Sequence, residues 1–258
     1  MFAFLALTFA WSWSFDFLAS RLVGVPMLSA GLSMIAIFGP SLAATLIVYA
    51  YSGKTGLQKW FHRCLNWNVG WYWYALAFFA PLVVIVTAWS LHVSLGGEMP
   101  EITALQHIPL AIANFGLVLL VGGPLGEEFG WRGYLSPALA ARLDWRATSL
   151  VVGVIWGVWH MPLFFSADTV QSRMPLPVYF VNILAGSVLF GWLSDRTRVS
   201  VIPALVLHTS LNTWSGLLKI VPTAETGRPY LLVTAILVVL AGVLLLKPQL
   251  KRSLVAAT

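Results

Sequence analysis

Charge is scarce in this chain. Of its 258 residues only 9% are Asp, Glu, Lys or Arg, while 59% are hydrophobic and mean hydropathy is +0.84. A soluble domain carries roughly a quarter charged residues, so a water-soluble globule is excluded. Cysteine occurs once, as Cys64 in a basic loop. That rules out an intramolecular disulfide framework and a four-thiolate metal site. Also lacking are His-Glu-x-x-His, the zinc-helix signature, and any Gly-x-Ser-Gly or Gly-x-Gly-Asp run in an apolar segment. There is no soluble domain, long linker, low-complexity tract or internal repeat. Gly/Pro-broken helices do not recur in matching halves, so a transporter pattern finds no support.

What is present is apolar and aromatic. The 13 Trp, 7 Tyr and 15 Phe gather at the ends of apolar runs, as in Trp71-Tyr72-Trp73-Tyr74, in the manner of interfacial belts. About 20 apolar residues span the hydrocarbon core as a helix. On that ruler eight spans are expected, near residues 1–20, 30–51, 71–95, 107–126, 147–166, 175–194, 199–219 and 230–247. The fold class is therefore all-α, a polytopic membrane bundle forming a single integral membrane domain over 1–258. Alternating β-barrel patterning is absent, and backbone groups in lipid must be satisfied internally. The opening Met-Phe-Ala-Phe-Leu has no basic n-region and is interrupted by Asp16, so it reads as a first span rather than a cleaved signal. Residues 127–143, too apolar for a loop, extend the fourth span or form a second helix bent at Pro124.

The net charge of +6 sorts by loop, which points to topology and not to nucleic acid. Lys54, Lys59, Arg63, Arg142, Arg146, Arg196, Arg198, Lys247, Lys251 and Arg252 fall on one side. Arg21, Arg173, Lys219 and Arg228 fall on the other. The richer side is expected to be cytoplasmic, and with eight spans both termini join it. The localisation expected is the cell membrane.

Against this background one group stands out: Glu127, Glu128 and Arg132 in the run Gly-Glu-Glu-Phe-Gly-Trp-Arg-Gly-Tyr-Leu. A single carboxylate at bilayer depth costs on the order of 2.5–3.5 kcal/mol even on a mild scale, and ionisable residues there mark function by default. On a helix Glu128 and Arg132 face each other at i,i+4, leaving Glu127 about 100° round to point elsewhere. A purely structural ion pair is the plain alternative. His160 lies one turn after Trp156, and His208 and Asn212 share a face at i,i+4. Taken singly, each histidine suits a satisfied bundle residue, and the His208/Asn212 pair suits interhelical hydrogen bonding. Three polar clusters on three spans, each needing partners inside the bundle, point instead to one site. One Glu and two His support either carboxylate-activated water with oxyanion donors, or a divalent metal such as zinc that activates the water. His160 lies roughly 20 Å past Arg146 along a straight helix, so a tilted or shortened fifth helix is expected.

In these residues the sequence resembles the CAAX-protease and bacteriocin-processing family, also called Abi or CPBP. Three ordered motifs carry the likeness: Glu-Glu-x-x-x-Arg at Glu127, Glu128 and Arg132; aromatic-x-x-x-His at Trp156 and His160; and His-x-x-x-Asn at His208 and Asn212. They span a catalytic core of residues 127–212. The second motif usually begins with Phe, so Trp156 is a conservative departure in a wall residue. The resemblance implies an intramembrane endopeptidase with a cavity reached from the cytoplasm. Glu127 and His160 would activate water, His208 and Asn212 would bind the oxyanion, and Glu128 with Arg132 would support them. Family members have been described both as metalloproteases and as metal-independent glutamate proteases. Cofactors therefore stay open between none and a divalent metal, and the missing compact ligand motif favours none. The implied partner is a membrane-associated protein or peptide, prenylated in the eukaryotic precedent. A non-catalytic immunity or scaffold protein of the same family, and a small-solute transporter, are the competing readings.

Overall fold

A computed structural model describes residues 1–22, 24–102, 108–166, 169–198, 200–222 and 227–247, and among these there is no strand. Lys251 and Arg252, counted above with the cationic side, lie outside the described residues. The helices are α1 (Phe2–Arg21), α2 (Pro26–Ile37), α3 (Gly39–Cys64), α4 (Trp71–Ser94), α5 (Ile108–Val121), α6 (Pro124–Gly130), α7 (Ser136–Ala140), α8 (Trp145–Trp159), α9 (Met161–Phe164), α10 (Leu176–Arg196), α11 (Ile202–Leu217) and α12 (Gly227–Leu246). A π-helical turn, Trp131–Leu135, joins α6 to α7. Proline opens many of these helices, in the first turn of α2, α3, α6, α7, α10 and α11. There its missing N–H costs nothing and its fixed φ suits the helix. Asp144 caps α8 by accepting from the Ala147 N–H at 2.8 Å.

Among the described residues four helices, α1, α4, α10 and α12, are each long and apolar enough to cross a bilayer. The bent pairs α2–α3 (41°) and α5 with α6–α7 (42°) raise the number to six. Eight crossings are not established on this measure. The fifth and seventh expected spans fall on α8 and α11, whose 15 and 16 residues are short of a full crossing. Helix α8 stops at His160 because Pro162 cannot continue it, so the fifth span is indeed shortened. The chain is a multi-pass membrane protein: apolar side chains cover its outside, and α5 buries none of its residues.

Inside, α8 packs along α10 and α10 along α12, while α4 bridges α11 and α12, and α3 lies against α6. The three motif-bearing elements, α6 with its π turn, α8 and α11, thereby turn their motif residues Glu127, Glu128, Arg132, His160 and His208 inward. Several cationic side chains bond backbone carbonyls of other segments. Arg63 donates to the Gly133 carbonyl at 3.0 Å, the Cys64 carbonyl accepts from Val201 N at 2.8 Å next to the Arg196–Arg198 turn, and Arg146 bonds the Lys247 carbonyl. At the other end Arg228 donates to Leu95 O at 3.2 Å. These contacts place Arg146 beside Lys247 and Arg63 beside the π turn.

Candidate active site

The site begins at a break. Helix α5 ends at Val121, and Gly122-Gly123-Pro124 turns the chain by 42° into α6. Gly123 sits at φ +116°, a conformation that a side chain would strain. A few residues on, α6 lies against the start of α3: a Cβ on Gly130 would stand 2.5 Å from Pro40 backbone. This close approach seats the two glutamates deep in the bundle. The π turn that follows widens the helix at Trp131–Leu135, a distortion frequent at functional sites.

Glu128 is fully buried. Its Oε1 accepts from Arg132 Nη1 at 2.9 Å and bonds His208 Nδ1 at 2.7 Å. A carboxylate only accepts, so His208 carries its proton on Nδ1 and turns Nε2 outward. Arg132 is held a second way: its guanidinium carbon lies 4.1 Å over the Phe190 ring and 4.5 Å over the Trp156 ring. Those aromatic faces stabilise a cation whose Nη2 has no hydrogen-bond partner.

Glu127, 3% exposed, is held differently from its neighbour. Its Oε2 accepts from the Trp156 indole N–H at 2.6 Å and from the Trp131 indole N–H at 3.3 Å. Its Oε1 looks over Gly123. A Cβ placed on that glycine would lie 2.7 Å from Glu127 Oε1 and 3.5 Å from His208 Nε2. The two groups therefore face one small volume that glycine leaves open. The expectation that Glu127 stands free needs refinement, since one oxygen is committed and the other is not.

His160 is buried at the end of α8, with Nδ1 2.9 Å from the Trp156 carbonyl. It does not hydrogen-bond Glu127; Trp156 connects them, through its carbonyl on one side and its indole on the other. Asn212 is exposed, and its Nδ2 donates to the Gly122 carbonyl at 3.0 Å. It lies at the rim beside the Gly122-Gly123 break rather than inside with His208. Six candidate residues thus form a buried set of five, Glu127, Glu128, Arg132, His160 and His208, with Asn212 at its edge.

Sequence reasoning passed over Trp131, Phe190 and Gly123, and treated Trp156 as wall. For Trp131 a signal existed, because it stands i,i+4 from Glu127 just as Arg132 does from Glu128. As for a metal, no group of three His, Cys, Asp or Glu among the described residues is placed to hold one. Nδ1 of each histidine is engaged, by Glu128 and by the Trp156 carbonyl, which leaves each Nε2 as the ring nitrogen not so held.

Comparison with known proteins bears on the same stretch. Residues 109–214, which include all three motifs, match the family described as type II CAAX prenyl endopeptidase, Rce1-like. The family likeness is confined to this segment, which is less than half of the chain. The chain is also 31% identical over 130 residues to CAAX prenyl protease 2 of Methanococcus maripaludis, covering 47% of this chain and 48% of that protein. The chain thus spans about half the length of the curated relative it matches. The family segment runs from α5 to α11 and so contains the break, the π turn and every buried site residue.

Proposed function

We propose that this protein is an intramembrane endopeptidase that hydrolyses a peptide bond in a membrane-associated, prenylated protein or peptide. The observation that carries the reading is Glu127: a buried carboxylate with one oxygen tied down and the other aimed, with His208 Nε2, at the same opening over Gly123. A structural ion pair has no need for that second oxygen. The Rce1-like match and the archaeal protease relative support the reaction class.

In this mechanism a water above Gly123 attacks the scissile carbonyl carbon while Glu127 Oε1 takes its proton. The carbonyl π electrons move to oxygen, and His208 meets the oxyanion from Nε2 while Nδ1–H stays on Glu128, a step that requires the ring to hold a proton on each nitrogen. Glu127 then returns its proton to the departing amine as the C–N bond breaks, leaving a carboxylic acid that ionises to carboxylate by losing its proton to water on release. Glu128, bound by Arg132, holds the His208 ring and offsets its charge. His160, with Nδ1–H on the Trp156 carbonyl, presents Nε2 as an acceptor and assists water activation. Asn212 at the rim supplies its amide to the incoming substrate backbone. No step passes through a metal.

The cationic end of the bundle, with Arg63, Arg146 and Arg196, is the cytoplasmic one in this reading, in the cell membrane. Glu128 and Arg132 lie close to that end, since Gly133 next to Arg132 accepts from Arg63. The test is cleavage by purified protein in liposomes, on prenylated and unprenylated C-terminal peptides. Cleavage of the prenylated peptide is expected. A protein that folds, carries intact motifs and cleaves none of a broad panel of membrane-anchored peptides would contradict the reading.

A further inference from the structure

Trp156 touches four of the candidate residues, Glu127, Arg132, His160 and His208. Its indole N–H donates to Glu127 Oε2 at 2.6 Å. Its ring face lies 4.5 Å from the Arg132 guanidinium carbon. Its carbonyl bonds His160 Nδ1 at 2.9 Å, and its ring meets that of His208 edge-on at 5.5 Å. Packing alone does not explain the indole contact, because a phenyl ring fills a wall position equally well and brings no donor. Trp131 adds a second, longer indole contact at 3.3 Å to the same oxygen.

We infer that Trp156, seconded by Trp131, is the positioning residue of Glu127. The two indoles clamp Oε2, fix the carboxylate rotamer, and so dedicate Oε1 to the opening over Gly123. The physical reason is directional. A lone carboxylate in a tight site can rotate and offer either oxygen to any donor, including the nearby Arg132. Two donors on one oxygen prevent that. A hydrogen bond to a charged group contributes about 1.5–3 kcal/mol, enough to hold one rotamer against its alternatives by roughly 10- to 100-fold. The backbone carbonyl of the same residue bonds His160 Nδ1, so one residue contacts both groups assigned to water activation. This proposal rests on Glu127 being the general base.

Two measurements on the full-length protein test it. In the first, Trp156→Phe, which keeps the ring and removes the N–H, is assayed for kcat and KM beside Trp131→Phe. We expect kcat to fall about 10- to 100-fold for Trp156→Phe, with KM within about twofold, and a smaller fall for Trp131→Phe, as its bond is longer. In the second, detergent melts of wild type, Trp156→Phe, Glu127→Ala and the double variant form a cycle that needs no activity. Non-additive melting shifts are expected, because the indole and the carboxylate share one bond. Additive shifts, or wild-type kcat in Trp156→Phe, overturn the clamp. Coupled melts beside a Glu127→Gln enzyme that still cleaves would instead remove Glu127 as base and leave the clamp in place. The two failures are thereby separable.

Discussion

Neutralising Glu128 tests how the buried charges are balanced. Its Oε1 serves both Arg132, at 2.9 Å, and His208, at 2.7 Å, and neither glutamate nor arginine is more than 3% exposed. Glu128→Gln leaves Arg132 in a dry site without its contacting anion. Removing one partner of a buried ion pair costs about 3–5 kcal/mol. The glutamine carbonyl still accepts one neutral hydrogen bond, worth about 1 kcal/mol, so a net loss of about 2–4 kcal/mol is expected. Stacking on Trp156 and Phe190 is present before and after and does not change the difference. Cleavage should fall as well, on the order of 10²–10⁴-fold, because the amide no longer anchors the His208 ring as the carboxylate does. The assay is reversible unfolding in mixed micelles with increasing denaturing detergent, run beside peptide cleavage. Wild-type unfolding of Glu128→Gln would refute the reasoning, since it would mean that Arg132 is balanced by something other than Glu128.

Three further outcomes are expected. Glu127→Gln should unfold like wild type and lose at least about 100-fold in turnover, the usual size of a general-base contribution; normal cleavage would reverse the roles of the two glutamates. Gly123→Ala should abolish cleavage and lower stability by about 1 kcal/mol or more, because φ +116° disfavours a side chain and the added Cβ would stand 2.7 Å from Glu127 Oε1; an active, fully stable alanine variant would show that the opening is not used. Reporter fusions in the segment from Lys54 to Arg63 should read cytoplasmic, and an external reading would invert the proposed topology.

The helical, membrane-embedded class was legible because runs of about 20 apolar residues have one economical solution in lipid. The crossing count was less so. Segment 147–166 is apolar on both faces of α8, with Val152 and Trp156 buried and Leu150, Val151 and Val154 exposed, and hydropathy alone does not show that the helix stops after 15 residues. Within the site, the Glu128–Arg132 contact follows from i,i+4 spacing and is found at 2.9 Å. The Glu128–His208 bond joins residues 80 positions apart, and only the packing of α11 against α6 creates it. Trp131 and Trp156 were hidden for another reason. In a chain with 13 tryptophans, an indole that donates to a buried carboxylate looks like one more membrane aromatic. Asn212 read as an inward partner of His208 from spacing alone; the Gly122 carbonyl, freed by the break before Pro124, holds its amide at the rim instead.

The central claim is that Glu127 activates a water that cleaves a peptide bond within the membrane bundle. It is tested most directly by incubating the purified protein and a prenylated peptide in oxygen-18-labelled water, then weighing the products by mass spectrometry. Wild type should yield a fragment whose new C-terminal carboxylate carries a single labelled oxygen from the attacking water, and Glu127→Gln, folded and embedded alike, should yield almost none. Labelled product formed equally well by Glu127→Gln would contradict the account.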